Sequence, residues 1–229
     1  VEFASSSRTG NALLGLTYKY KWNNQINLYG QFVLDEFSLG DIKKSDNSWK
    51  NKYGYQLGIK YYNAFRVSDL LLQLEYNHVR PYVYSHSAPL TNYGHNNQSI
   101  GHQWGGNFKE LIAIARYHKG RYFADAKVTM GTRGLDFDAS ENNFNYGGNI
   151  YKDYDENRPF DTDVKVGQGN KTAVFIADFQ WGYLVNPATN LKIFGSYIYR
   201  SFDPAKNTVS TFSESTNWLT LGLRADVFN

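Results

Sequence analysis

The chain has 229 residues, a formal net charge of +3, no cysteine, one methionine and 17% aromatic residues. Without cysteine there are no disulfides and no thiolate metal sites, and with no dense Lys/Arg block there is no electrostatic footprint for nucleic acid. The abundance of Tyr and Phe disfavours a helical bundle and suits a pleated sheet.

No apolar run approaches the roughly 18 residues of a membrane helix, and Leu70-Leu71-Leu72 is the best available. The opening "VEFASSSRTG" is no charged-then-apolar leader, so the chain is expected to be a mature or partial product. Most of the sequence instead alternates with a period of two. Leu14, Leu16, Tyr18, Tyr20 and Trp22 share one face, with Thr17, Lys19 and Lys21 on the other. Ile26 to Leu34, Tyr55 to Tyr61, Leu70 to Tyr76 and Leu111 to Tyr117 repeat the pattern. It continues through Tyr122 to Met130, Phe175 to Trp181, Leu191 to Tyr197 and Leu219 to Val227. Each run approximates the 9 to 11 residues of a tilted strand crossing a bilayer.

The connections alternate between short and long. Short ones fall at Asn23-Asn24, Asn63 to Val67, Lys119-Gly120 and Asn186 to Thr189. Long ones run roughly 38–53, 80–106, 134–171 and 202–215. Gathering every long loop at one end is the habit of an outer-membrane barrel, with tight periplasmic turns and long external loops. Aromatics flank the short turns at Tyr20, Trp22, Tyr61, Tyr62, Tyr117, Tyr122, Trp181, Tyr183 and Phe228, as one interfacial girdle requires; the opposite girdle is less clear. A two-residue turn at Lys119-Gly120 would set Tyr117 against Tyr122, with Arg116 diagonal to Asp125 and Glu110 diagonal to Lys127. The polar face would then line a lumen whose charges include Glu75, Glu110, Arg116, Asp125 and Lys127. A soluble β-sandwich would explain the alternation but neither the girdle nor the loop asymmetry.

The expected fold is therefore all-β, a transmembrane antiparallel β-barrel spanning 1–229 as a single domain, with about nine strands here. The first and last strands run the same way and cannot pair antiparallel. An odd number of strands must come from elsewhere, so the chain is expected to be the C-terminal part of a larger barrel.

Within this architecture "YSHSAPLTNYGHNNQSIGHQWGGNFKE" (Tyr84 to Glu110), "LYGQFVLDEF" (Leu28 to Phe37) and "VGQGN" (Val166 to Asn170) resemble the Wzi-like capsule-assembly proteins of Bacteroidota. That group includes the gliding-motility protein RemB. The resemblance covers the C-terminal half of such proteins and implies an outer-membrane barrel of about eighteen strands. It also implies contact with surface polysaccharide, or a part in gliding or surface secretion, with the N-terminal half of the barrel as partner.

Sugars are held by aromatic rings against their apolar faces, and by amides and imidazoles at their hydroxyls. Tyr84, His86, Tyr93, His95, Asn96, Asn97, His102 and Trp104 are the candidate polysaccharide ligands. Alternatively the same loop folds inward and plugs the lumen. The histidine spacings match no zinc pattern, and the acidic run "NIYKDYDENRPFDTD" breaks the calcium-loop rule, so no metal or cofactor is expected. Asp35 and Glu36 are adjacent in a strand and point to opposite faces, which excludes an acid/base pair. "VGQGNKT" lacks the ending and spacing of a phosphate loop and reads as a flexible return into a strand.

The expected role is non-enzymatic. It is a barrel in the cell outer membrane, surrounded by lipid, whose external loops engage polysaccharide for capsule or slime attachment or gliding motility. The alternatives are a structural subunit of a larger envelope secretion or gliding complex, and a soluble β carbohydrate-binding or enzyme domain.

Overall fold

The computed structural model describes residues 12–226 apart from 37–39, 41–42 and 44–45. Val227, the end of the last alternating run, and Phe228, placed in the aromatic girdle, lie outside the described residues.

The chain forms one nine-stranded antiparallel sheet in which every strand pairs with its neighbours in sequence. The strands are β1 (Leu14–Lys21), β2 (Ile26–Glu36), β3 (Lys52–Tyr62), β4 (Leu70–Val79), β7 (Phe108–Lys119), β8 (Tyr122–Leu135), β9 (Asn170–Asn186), β10 (Leu191–Pro204) and β11 (Glu214–Arg224). A separate hairpin of β5 (Gly94–His95) and β6 (Gln98–Ser99) sits inside the 80–107 connection. Among the described residues β1 and β11 each pair on one side only, so the sheet is open. Standing first and ninth in an antiparallel order, these two edges run in the same direction. No described helix is long and apolar enough to cross a membrane, which bears on helices alone.

The register places the apolar residues of all nine strands on one continuous face. Leu16 lies opposite Phe32 and Phe32 opposite Tyr55; Ile59 faces Leu74, and Leu74 faces Ala113. The row continues from Ala126 to Phe179, Phe179 to Tyr197 and Tyr197 to Leu219. Leu14, Leu72, Leu111, Phe179 and Leu221 all lie on this face, and none belongs to the buried core. Leu14 is 69% exposed, Phe179 43% and Leu221 78%, because among the described residues no second layer packs against them.

The buried core sits at the long-loop end, on the opposite, polar face. Val79 and Phe108 pack there with loop residues Val83, Tyr84, Trp104 and Ile150, and partly buried Val33 and Val174 join them. Strand lengths reflect this: β8, β9 and β10 run 14, 17 and 14 residues, longer than the alternation alone required, because their ends carry the folded loops.

One register differs from expectation. Lys119 pairs with Tyr122, so the two-residue loop is Gly120-Arg121 rather than Lys119-Gly120. Gly120 has φ +60, while Arg121 is not among the positive-φ residues. That is the type II′ pattern, which wants glycine first. The slip is an even number of residues, so both faces are preserved. Tyr117 now opposes Ala124, and Arg116 lies directly opposite Asp125 at 4.0 Å rather than diagonally. The diagonal of Glu110 with Lys127 does not form: Glu110 opposes Asn77 and Gly131, and Lys127 opposes Ile114 and Asp178.

The structure also reveals aromatics on the apolar face near the long loops. Phe32 stacks on Tyr53 with centroids 6.3 Å apart, Tyr55 on His78 at 5.0 Å, and Tyr55 tilts against Tyr76 at 6.1 Å. They come from three strands, so no single stretch of sequence displays the belt.

Candidate functional site

The 80–107 and 136–169 connections fold against each other over the polar face and frame the site. Their join is Asn107, fully buried and held in the left-handed region at φ +56. Its Nδ2 donates to the carbonyls of Gly134, Tyr146 and Gln168 at 3.1, 3.0 and 3.0 Å, and its Oδ1 accepts the Gly167 N–H at 2.7 Å. The Val166 to Asn170 stretch is therefore a packed knot rather than a flexible return. Gly167 and Gly169 take φ of +89 and +85, which glycine adopts without strain. Asn170, also buried, closes the knot by donating to the Lys206 carbonyl at 2.8 Å and accepting its N–H at 3.1 Å.

The eight candidate ligands separate into two groups. Tyr84, His86 and Trp104 are buried and help pack the loop. The Tyr84 backbone N–H donates to Asp35 Oδ2 at 2.8 Å. Burial first, then the charges of Tyr93 and Asp35, push its phenol up to about 12. His86 Nδ1 accepts the Ala88 N–H at 3.0 Å, and Trp104 lies edge-on to Phe108 at 5.4 Å. His102 stacks on Phe108 at 4.2 Å and accepts the Trp104 N–H at Nδ1, which leaves Nε2–H to donate to Glu110 Oε1 at 2.8 Å. The second group is the exposed hairpin tip of His95, Asn96 and Asn97, with Tyr93 at its base. Asn96 and Asn97 both have positive φ, the type I′ turn that Asn favours.

The charges assigned to the polar face lie on it. Glu75 accepts from Tyr29 Oη at 2.6 Å and from Asn77 Nδ2 at 3.0 Å, and Asn77 Nδ2 also reaches buried Glu110 at 2.8 Å. This chain of bonds leads from the mid-sheet to His102 in the loop. Arg116 and His118 share Asp125, at 4.0 and 3.1 Å.

The acidic run of the 136–169 connection wraps around an arginine. Arg158 meets Asp155 at 3.2 Å and Asp161 at 2.8 Å, donates to the Tyr154 carbonyl, and lies over the Trp49 ring at 3.8 Å. Among the described residues no three His, Asp or Glu side chains are arranged to hold a metal ion.

Between these loops lies a cleft of about 910 Å³. Asn97, Gln98, Ser99, Gln103 and Trp104 line it from one connection, Asn149, Tyr151 and Lys152 from the other, and Arg133 and Asp136 from the end of β8 and just beyond. Ser210 and Thr211 close its rim. Lys152 is neutralised by Asp136 at 2.6 Å. Arg133 has no carboxylate partner among the described residues; one N–H donates to the Trp104 carbonyl at 3.3 Å, and the guanidinium lies 5.6 Å from the Trp104 ring. Of the eight sequence candidates only Asn97 and Trp104 line this cleft, while Tyr84, Tyr93 and His102 border a smaller cavity of about 330 Å³ on the other side of the loop. Sequence inspection missed Arg133. The available signal was parity, since 125, 127 and 133 fall on one face of one strand.

Comparison with protein-family models, curated proteins and solved structures finds no match to this chain.

Proposed function

We propose that this chain is part of an outer-membrane β-barrel whose long loops face the cell exterior and engage surface polysaccharide, in capsule or slime attachment or in gliding. The observation carrying this is the apolar face, nine strands wide and without a covering layer among the described residues. Soluble monomers rarely expose a contiguous apolar patch beyond a few hundred Å², and lipid is the solvent that suits such a face. The two aromatic belts, at the short turns and near the long loops, support the same orientation. The role is binding rather than catalysis, with many weak contacts to a polymer adding by avidity.

Both free edges run the same way, so an odd number of further strands completes an antiparallel barrel. Two identical copies in one orientation would leave two parallel seams. An N-terminal half of the same barrel, with an odd strand count, meets the requirement.

The test has two parts. The purified chain is expected to need detergent and to migrate faster unheated than boiled on a denaturing gel; detergent-free monodispersity sinks the membrane assignment. Asn97→Ala with Tyr151→Ala is expected to lower retention on a polysaccharide matrix several-fold while leaving mobility unchanged. Unaltered retention removes the glycan role and favours the second reading, a structural subunit of an envelope assembly. A specific observation favours that alternative: the loop residues Leu90, Ile100, Phe160 and Val209 are exposed apolar groups, Leu90 fully so, and such groups suit protein contacts.

A further inference from the structure

Among buried side-chain polar atoms lacking a hydrogen-bond partner in the described residues are Ser99 Oγ and Arg133 Nε, and both residues line the 910 Å³ cleft. Orphaned buried donors are uncommon because each costs roughly 1–3 kcal/mol. These two atoms are themselves occluded, but the Nη end of Arg133 is not among the occluded atoms and borders the cleft. Arg133 is the stronger signal, for a guanidinium carries five N–H donors and among the described residues only one meets an acceptor. The nearby cation Lys152 is already neutralised by Asp136, so the cleft carries one uncompensated positive charge. Gln98 and Gln103 add amides with no side-chain hydrogen bond of their own among the described residues, and half-exposed Tyr151 adds a ring. The volume falls within the roughly 300–1,000 Å³ of small-ligand sites.

From these observations we infer that the cleft binds an acidic sugar unit, its anionic group taken by the Nη atoms of Arg133 and its hydroxyls by Gln98 and Gln103. The inference rests on the polysaccharide reading above and names the kind of sugar that reading requires. A planar fork of donors matches a carboxylate or sulfate in two-point contact, which a lysine cannot reproduce. A neutral sugar would leave the Arg133 donors and charge unmatched, so discrimination is built in.

The experiment uses the purified chain in detergent with galacturonic-acid oligomers, the same oligomers methyl-esterified, and neutral glucose oligomers as a control. Titration calorimetry is expected to show the acid form binding at least about tenfold more tightly than its ester, the effect of one charge-assisted contact. Arg133→Gln should abolish that preference, bringing acid and ester to equal affinity, and Arg133→Lys should restore part of it. Equal affinity of the native chain for acid and ester overturns the acidic-sugar assignment but leaves the glycan role standing. Binding of no oligomer overturns both. A preference that survives in Arg133→Gln, with the loops still resistant to protease, removes the assignment to Arg133.

Discussion

Asn107 Oδ1 accepts the N–H of Gly167, sixty residues further along the chain, at 2.7 Å. With the three carbonyls bonded to its Nδ2, this side chain holds the end of one long loop, the tip of β8 and the return of another long loop in a single clasp. Replacing it removes one partner from four backbone groups, and leaving buried groups unsatisfied is the costly outcome. Asn107→Ala is expected to destabilise the loop layer by about 3 kcal/mol, with the sheet intact. Hydrogen exchange should show faster labelling at Gly134 and Gly167 and unchanged protection in β3 and β4; unchanged protection at Gly167 would remove the clasp from the account.

Leu74 lies near the centre of the apolar face, with Ile59 and Ala113 beside it. If that face meets lipid, Leu74→Arg costs about 2–4 kcal/mol in a bilayer, measured by reversible unfolding in lipid vesicles. Gln73→Arg, one residue away on the polar face, serves as the control and should cost little. Equal, small effects of both would show Leu74 in contact with water.

Tyr84 is pushed up to about 12, above the ordinary value of 10.0, chiefly by burial. A raised phenol stabilises the fold in its neutral form, so its contribution is complete below pH 10.0 and is lost as pH rises through about 12. The loop core should loosen in that window. Phenolate absorbance should show a late-titrating tyrosine that disappears in Tyr84→Phe; if the titration is unchanged by that variant, the burial argument is wrong.

Asp138 is held below the usual carboxylate range by hydrogen bonds from the Ser210 hydroxyl and N–H. A depressed carboxyl contributes above its unfolded value and stops as pH falls through the folded one. The tie between the 136–169 and 205–213 connections is therefore expected to persist at pH 5 and weaken below the ordinary aspartate value of 3.8. Asp138→Asn should show the weakened tie already at neutral pH, seen as faster cleavage within 205–213 by a broad-specificity protease.

The sheet was legible in the sequence because alternation is a local property: Leu70 to Tyr76 declares its face from seven residues. All nine strands and their antiparallel succession follow from that signal and from connection lengths. The hairpin register was not, since two neighbouring loop choices differ only in whether glycine stands first or second in the turn. The loop core was less legible still. Tyr84, Trp104 and His86 carry the chemistry of sugar contacts, yet the same rings are the apolar mass available to pack a loop. Arg133 was hidden because its distinguishing feature is a missing partner, and the absence of a carboxylate nearby can be known only after distant segments come together.

The β5–β6 hairpin is secured at its base, where Tyr93 and Tyr84 join backbones, and at its tip His95 and Asn96 are exposed and line neither of the two cavities described. Mutational change is thereby confined. Residues 95 and 96 can drift with no penalty transmitted to the clasp below, while Asn97 and Gln98 stay tied to the cleft they line. On the proposed outer-membrane reading, a surface under pressure from phage or antibodies has in those two residues a spot to rewrite, while the cleft and clasp keep their shape.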